Sequence, residues 1–158
     1  MKRLFYIVVI ALMGALVMSS CTKKYETEPL KTVNVSGEVK AWLDLNGTEM
    51  QDVPTGKTKL IFRTNAANLC QDIDASYTYN TLQYEVDVTD GKYSIDLPAV
   101  NFRSVTYTIT AVEFIYEQKQ VAPAGATIKK VYTQDPMYAT SVAVQEGEVH
   151  YRVDVAFN

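Results

Sequence analysis

The sequence predicts an all-β protein, an antiparallel β-sandwich of about seven to nine strands. Three observations predict it. Apolar residues recur at every second position through most of the chain, turn residues separate these runs at short intervals, and no amphipathic helix of normal length follows residue 20.

The elements follow in order. From Val33 the odd positions Val33, Val35, Val39, Ala41, Leu43 and Leu45 are apolar or small, with Asn34, Ser36, Glu38, Lys40 and Asp44 between them. That is the period of a strand with one buried face. Gly37 interrupts the set and marks a bulge or a close approach of another backbone. Asn46-Gly47 through Pro54-Thr55-Gly56 is a turn-rich loop, because glycine permits positive φ and proline fixes φ without donating a hydrogen bond. Leu60 and Phe62 alternate with Lys59, Ile61 and Arg63 in a second strand. The period is then lost from Asn65 to Asn80, a loop long for a compact domain and of a kind that often carries function.

Leu82, Tyr84, Val86 and Val88 alternate with polar residues, Asp90-Gly91 makes a turn, and Tyr93, Ile95 and Leu97 alternate in their turn. This is the clearest hairpin signal in the chain. Val105, Tyr107, Ile109 and Ala111 keep odd parity, whereas Val112, Phe114 and Tyr116 are even, so the chain must bend or bulge near Ala111. Thr110 to Gln118 could alternatively support one or two helical turns. Ala122-Pro123-Ala124-Gly125 breaks the pattern, and Ala126 to Thr133 is a weaker strand whose Lys129 and Lys130 suit an exposed edge. Val142 and Val144, a turn at Glu146-Gly147, and an alternating run from Val149 to Phe157 close the chain.

The N-terminus carries an address. Lys2 and Arg3 precede an apolar run from Leu4 to Met18, followed by the small residues Ser19 and Ser20, in the order of an export signal. The run is shorter than the roughly 20 apolar residues that span a bilayer. Met18-Ser19-Ser20-Cys21 resembles the lipobox of bacterial lipoproteins, with Met18 in place of the usual leucine. The resemblance implies cleavage before Cys21 and lipidation of that cysteine, and two or more acyl chains anchor stably where one does not. Thr22 is not the aspartate that retains many lipoproteins at the inner membrane, so the resemblance implies the outer membrane. Residues 1–20 are then the leader, 21–31 a lipidated N-terminus and polar tether, and 32–158 the sandwich domain.

Without the leader the chain has 13 basic and 18 acidic side chains, against 15 and 18 in the whole sequence. An acidic domain whose only basic pairs are Lys23-Lys24 and Lys129-Lys130 argues against nucleic acid as a partner. With Cys21 lipidated, Cys70 alone remains and no intramolecular disulfide can form.

Four segments resemble the transthyretin-like (prealbumin-like), carboxypeptidase-regulatory-like β-sandwich domains of Bacteroides-type surface lipoproteins. They are Val35-Ser36-Gly37-Glu38-Val39, Val53 to Phe62, Thr89 to Pro98 and Val105 to Ile109. These are mostly turn motifs, and they specify fold more than activity. The resemblance implies a module without catalytic residues, used as a spacer, scaffold or interaction unit, with no cofactor.

Candidates for chemistry are few. His150 is the sole histidine, sharing strand parity with Arg152 and Asp154, and no Gly-x-Ser-x-Gly elbow accompanies it. Asp72 and Asp74, and Asp87 and Asp90, offer oxygen ligands without the spacing of a calcium loop, and their ordinary use is in turns. Eleven tyrosines and Trp42 invite a sugar-stacking reading. Tyr84, Tyr93, Tyr107 and Tyr151 share parity with core residues, leaving Trp42, Tyr77 and Tyr79 as candidates for an exposed platform. The expectation is a non-catalytic, lipid-anchored interaction module of the outer membrane, with a glycan or an envelope protein as its partner. The alternatives are a glycan-binding lipoprotein using Trp42, Tyr77 and Tyr79, and a fimbrial or self-assembling subunit whose Val149–Phe157 strand completes a neighbour's sheet.

Overall fold

A computed structural model gives the fold and describes residues 29–44, 47–119 and 127–158. The leader, Cys21, Thr22 to Glu28 of the tether, and the Ala122–Gly125 break lie outside the described residues. The strands are β1 (Lys31–Ala41), β2 (Gln51–Asp52), β3 (Lys59–Asn65), β4 (Thr81–Asp87), β5 (Lys92–Ala99), β6 (Val105–Ala111), β7 (Phe114–Lys119), β8 (Thr127–Tyr132), β9 (Ser141–Val144), β10 (His150–Arg152) and β11 (Val155–Phe157). Eight of them are four residues or longer, which matches the strand number expected from periodicity.

Two sheets enclose one core. The first is antiparallel throughout, in the order β4-β3-β6-β9. The second is centred on β1, which pairs antiparallel with β5 and β2 but parallel with β10 and β11. The inner faces meet as alternation requires: Val35, Val39 and Leu97 from one sheet pack in the same core as Leu60, Phe62, Tyr107 and Ile109 from the other. The Phe62 and Tyr93 rings lie 5.9 Å apart, and the Tyr107 hydroxyl donates to the Pro98 carbonyl at 2.7 Å. Each fully buried large side chain contributes about 1.5–3 kcal/mol.

The β7–β8 hairpin closes one end. Phe114 stacks on Tyr132 and meets Phe157 edge-on, and backbone bonds between Thr133 and Asn158, and from Asp135 to Ala156, tie the end of β8 to β11.

Several local expectations meet a different partner in the fold. Asp90 (φ 47°) and Gly91 (φ 67°) make the expected tight turn, but β4 and β5 then part, β4 joining β3 and β5 joining β1. The hairpin is thus a corner between sheets. Thr110 to Gln118 forms the end of β6 and β7, without helical turns; Phe114, Tyr116 and Gln118 are covered while Ile115 and Glu117 are exposed, a two-residue alternation that a strand satisfies and a helix does not. The expected parity change falls at Val112-Glu113, between β6 and β7.

Val149–Phe157 is two short strands, β10 and β11, completing its own chain's sheet, with Phe157 fully buried. Both pair with β1 at the same register, Asn34 opposite His150 and Val39 opposite Val155, so they are one strand interrupted at Val153-Asp154. Gly37 lies at the interruption. A Cβ there would sit 1.8 Å from the Val153 carbonyl oxygen, so the glycine marks a close backbone approach and not a bulge.

Candidate functional site

Every second residue of β1, β5 and β10 faces away from the core, and the parallel register of β10 sets these residues in rows across the sheet. Asn34 stands between Asp96 and His150, and Ser36 between Ser94 and Arg152. Glu38 is opposite Lys92, while its backbone N–H donates to Asp154 at 2.8 Å.

The first row is a hydrogen-bonded chain. Asn34 Nδ2 donates to Asp96 Oδ1 and to Ser94 Oγ, each at 2.9 Å. An ionised carboxylate only accepts, so Asp96 fixes the amide and aims Asn34 Oδ1 at His150 Nδ1, 3.2 Å away. That nitrogen therefore carries a proton, and in the neutral ring Nε2 presents its lone pair to Ser36 Oγ at 3.3 Å. At the other end of the face, Glu38 bonds Lys40 at 2.8 Å and Arg152 at 3.3 Å. The Lys40 hydrogen bond and charge, assisted by Arg152, hold the Glu38 carboxyl below its ordinary range, so Glu38 stays an acceptor. The same contact raises Lys40.

Of these side chains, Ser36, Glu38, Lys92, Ser94, His150 and Arg152 border an open basin of about 630 Å³, within the range of small-ligand sites. Lys92 and Arg152 are donors, Glu38 and Asp87 acceptors, and Ser36, Ser94, Thr89 and His150 can serve as either. Gly37, Val86 and Tyr93 supply the apolar part of its lining. Sequence reasoning found the shared face of His150, Arg152 and Asp154 by parity. It missed Asn34, Ser36, Glu38, Ser94 and Asp96 as their neighbours, because only the β1–β10 register brings them together.

The aromatic candidates do not form one platform. Tyr77 and Tyr79 do meet, edge to face at 5.0 Å, and the backbone N–H of Asp74 donates to the Tyr79 hydroxyl at 2.9 Å. Trp42 is half-buried just beyond Ala41, and its carbonyl accepts from Tyr132 Oη at 2.7 Å. Ala41 ends β1 beside the β4–β5 turn, whereas the Tyr77 loop leaves β3 at Asn65 near the opposite end of the sheets. The fold thus separates Trp42 from the tyrosine pair, since β1 and β3 expose opposite ends at these points.

Cys70 is a half-buried free thiol donating to the Ala66 carbonyl at 3.4 Å. Asp74 caps a turn by accepting from the Ser76 N–H and hydroxyl, which lower its pKa, and Asp90 accepts from Thr55 Oγ1 at 2.7 Å. Among the described residues no three His, Cys, Asp or Glu side chains are grouped as a metal site, and no helix is long and apolar enough to cross a membrane. Cys21 lies outside the described residues.

No protein-family model and no curated protein matches the chain. Among solved structures, the 2.61 Å crystal structure of a candidate carbohydrate binding protein from Pseudomonas aeruginosa superposes with a TM-score of 0.44 and 15% identity, covering 83% of this chain and 92% of that one. At that distance the likeness carries no argument about ligand or function.

Proposed function

We propose that this chain is a lipid-anchored, non-catalytic interaction module of the bacterial outer membrane, and that its ligand is a glycan held on the outer face of the mixed sheet. The observation that carries the ligand reading is the ordered polar surface of β1, β5 and β10. A sugar hydroxyl both donates and accepts, and vicinal hydroxyls are held best by forked groups fixed in place. Asn34 is fixed by Asp96, His150 by Asn34, and Arg152 by Glu38 and Asp154. Their conformational entropy is already lost before a ligand arrives, which favours binding.

Catalysis is disfavoured by the same geometry. Ser36 and His150 lie on an exposed strand face, where water competes for every proton and screens every developing charge. The contact serves to position polar groups.

The ligand reading is tested on a glycan array followed by calorimetry. At least one glycan should bind, and Arg152→Ala should weaken it by about tenfold or more, as expected for a lost charge-assisted hydrogen bond. Arg152 is largely exposed, so its removal should leave thermal stability nearly unchanged. An array at background, or an Arg152→Ala protein that binds like the wild type, would sink the reading.

The anchor rests on Met18-Ser19-Ser20-Cys21 and is tested separately. Mass spectrometry of the membrane fraction should find a mature chain starting at acylated Cys21, and Cys21→Ala should abolish that species. An unmodified mature N-terminus in the wild type would refute it.

A further inference from the structure

Among the described residues the exposed large apolar side chains are unevenly placed. Five of them gather at the end of the sandwich from which β1 starts: Leu30 (48% exposed), Ile73 (53%), Tyr77 (64%), Phe102 (41%) and Val149 (88%). Hydrogen bonds show that their loops share one end. Arg103 Nη2 donates to the Gln71 carbonyl at 3.2 Å, joining the β5–β6 loop to the β3–β4 loop. Gln145 Nε2 donates to the Asn101 carbonyl at 3.3 Å, and the Glu146 N–H to the Val100 carbonyl at 3.1 Å, which brings in the β9–β10 turn. Lys31 pairs with both Ala99 by register and Glu146 by charge, so the first strand begins among these loops.

The covalent chain decides what this end can face. Eight residues lie between Cys21 and Leu30, and the nine steps along them, even fully extended, reach only about 30 Å. We infer that this end of the sandwich is a bilayer-facing surface whose Ile73, Tyr77, Phe102 and Val149 side chains seat in the interfacial layer of the membrane that carries the anchor. The inference rests on acylation of Cys21. The surface has the composition of such a layer, with an aromatic ring carrying a polar tip, aliphatic side chains, and Arg103 lying 5.1 Å over the Phe102 ring.

Its charges identify the force involved. Asp72, Asp74, Glu146 and Glu148 outnumber Lys31 and Arg103 on these loops, so attraction to anionic headgroups is not what holds the surface down. The acyl chains supply affinity, and the apolar side chains set orientation. The remaining exposed apolar side chains among the described residues, Ile115, Ile128 and Val131 on the β7–β8 hairpin with Val112, Met137 and Tyr138, lie away from the start of β1.

The test uses the full acylated protein in vesicles of brominated phosphatidylcholine, which quench nearby indoles. Native Trp42, at the opposite end, reports the baseline and should retain its emission. Tyr77→Trp should lose roughly half or more of its added emission, as an interfacial side chain must, and Val149→Trp, at a position 88% exposed, should do the same. Quenching should persist in high salt. Co-flotation with the vesicles without extra quenching at either position would overturn this inference alone, and so would quenching that salt abolishes. A chain that fails to co-float and carries an unacylated Cys21 would overturn the anchor reading and this one with it.

Discussion

Gly37→Ala is expected to destabilise the protein by about 3 kcal/mol or more, the upper end of overpacking costs, and to lower its Tm by roughly 10 °C. The added methyl meets backbone and not a pliable side chain: 1.8 Å to the Val153 oxygen and 2.6 Å to its carbon. Moving that carbonyl breaks more than one contact. It accepts the Tyr93 hydroxyl at 2.7 Å inside the core, and the Val153 N–H donates to Ser36 at 2.9 Å. The hinge between β10 and β11 would open, and the Ser36–His150 row would go with it. Gly147→Ala is the internal control. At φ +100° with nothing within 4 Å, alanine there meets backbone strain alone, worth about 1–3 kcal/mol. Thermal unfolding of the two variants should separate them, and a Gly37→Ala protein as stable as the wild type would show that the two backbones do not press together.

The contrast between these glycines shows what a sequence can and cannot announce. Glycine in an alternating strand is legible as a close approach or a bulge, but the partner, 116 residues away at Val153, is not. The same limit recurs at Asp90-Gly91. Turn chemistry is local and reads correctly, while the destinations of β4 and β5 depend on which apolar faces find each other across the core. Tyr93 and Tyr107 were assigned to the core by parity alone and are buried there, since burial follows period in a strand. Helical turns over Thr110–Gln118 were a reading of a short segment in which both periods compete, and pairing with β8 settled it in favour of the strand.

The polar basin was half legible. Parity placed His150, Arg152 and Asp154 on one face, and the same arithmetic could place Asn34, Ser36 and Glu38 on another. Nothing local says that those faces are continuous, because parallel pairing of a first strand with a last one leaves no turn signature between them. The reverse error affected Trp42, Tyr77 and Tyr79. They shared exposure by pattern, yet β1 and β3 carry them to opposite ends.

Above pH 10 the stability of this protein is expected to fall steeply, and two buried tyrosines are the cause. Tyr93 and Tyr107 are 5% and 0% exposed, and both hydroxyls donate to carbonyls, of Val153 and Pro98, at 2.7 Å. Burial pushes both phenols well above their ordinary value, with the charge of Asp154 adding to the shift of Tyr93 and Tyr84 to that of Tyr107. A phenolate in either place would be desolvated and would face an acceptor oxygen in place of donating to it. The folded chain therefore keeps protons that the unfolded chain loses from about pH 10 upward, so the two groups contribute their full stabilisation below that pH and lose it as pH rises toward the folded values. Each group contributes a slope of about 1.4 kcal/mol per pH unit, or roughly 2.7 for the pair. Urea unfolding from pH 8 to 12 should show a plateau followed by that decline. Tyr93→Phe should start lower at pH 8, by about 1–3 kcal/mol for the unsatisfied Val153 carbonyl, and then decline with about half the slope. Equal alkaline slopes in Tyr93→Phe and wild type would mean that the Tyr93 proton is not retained by folding.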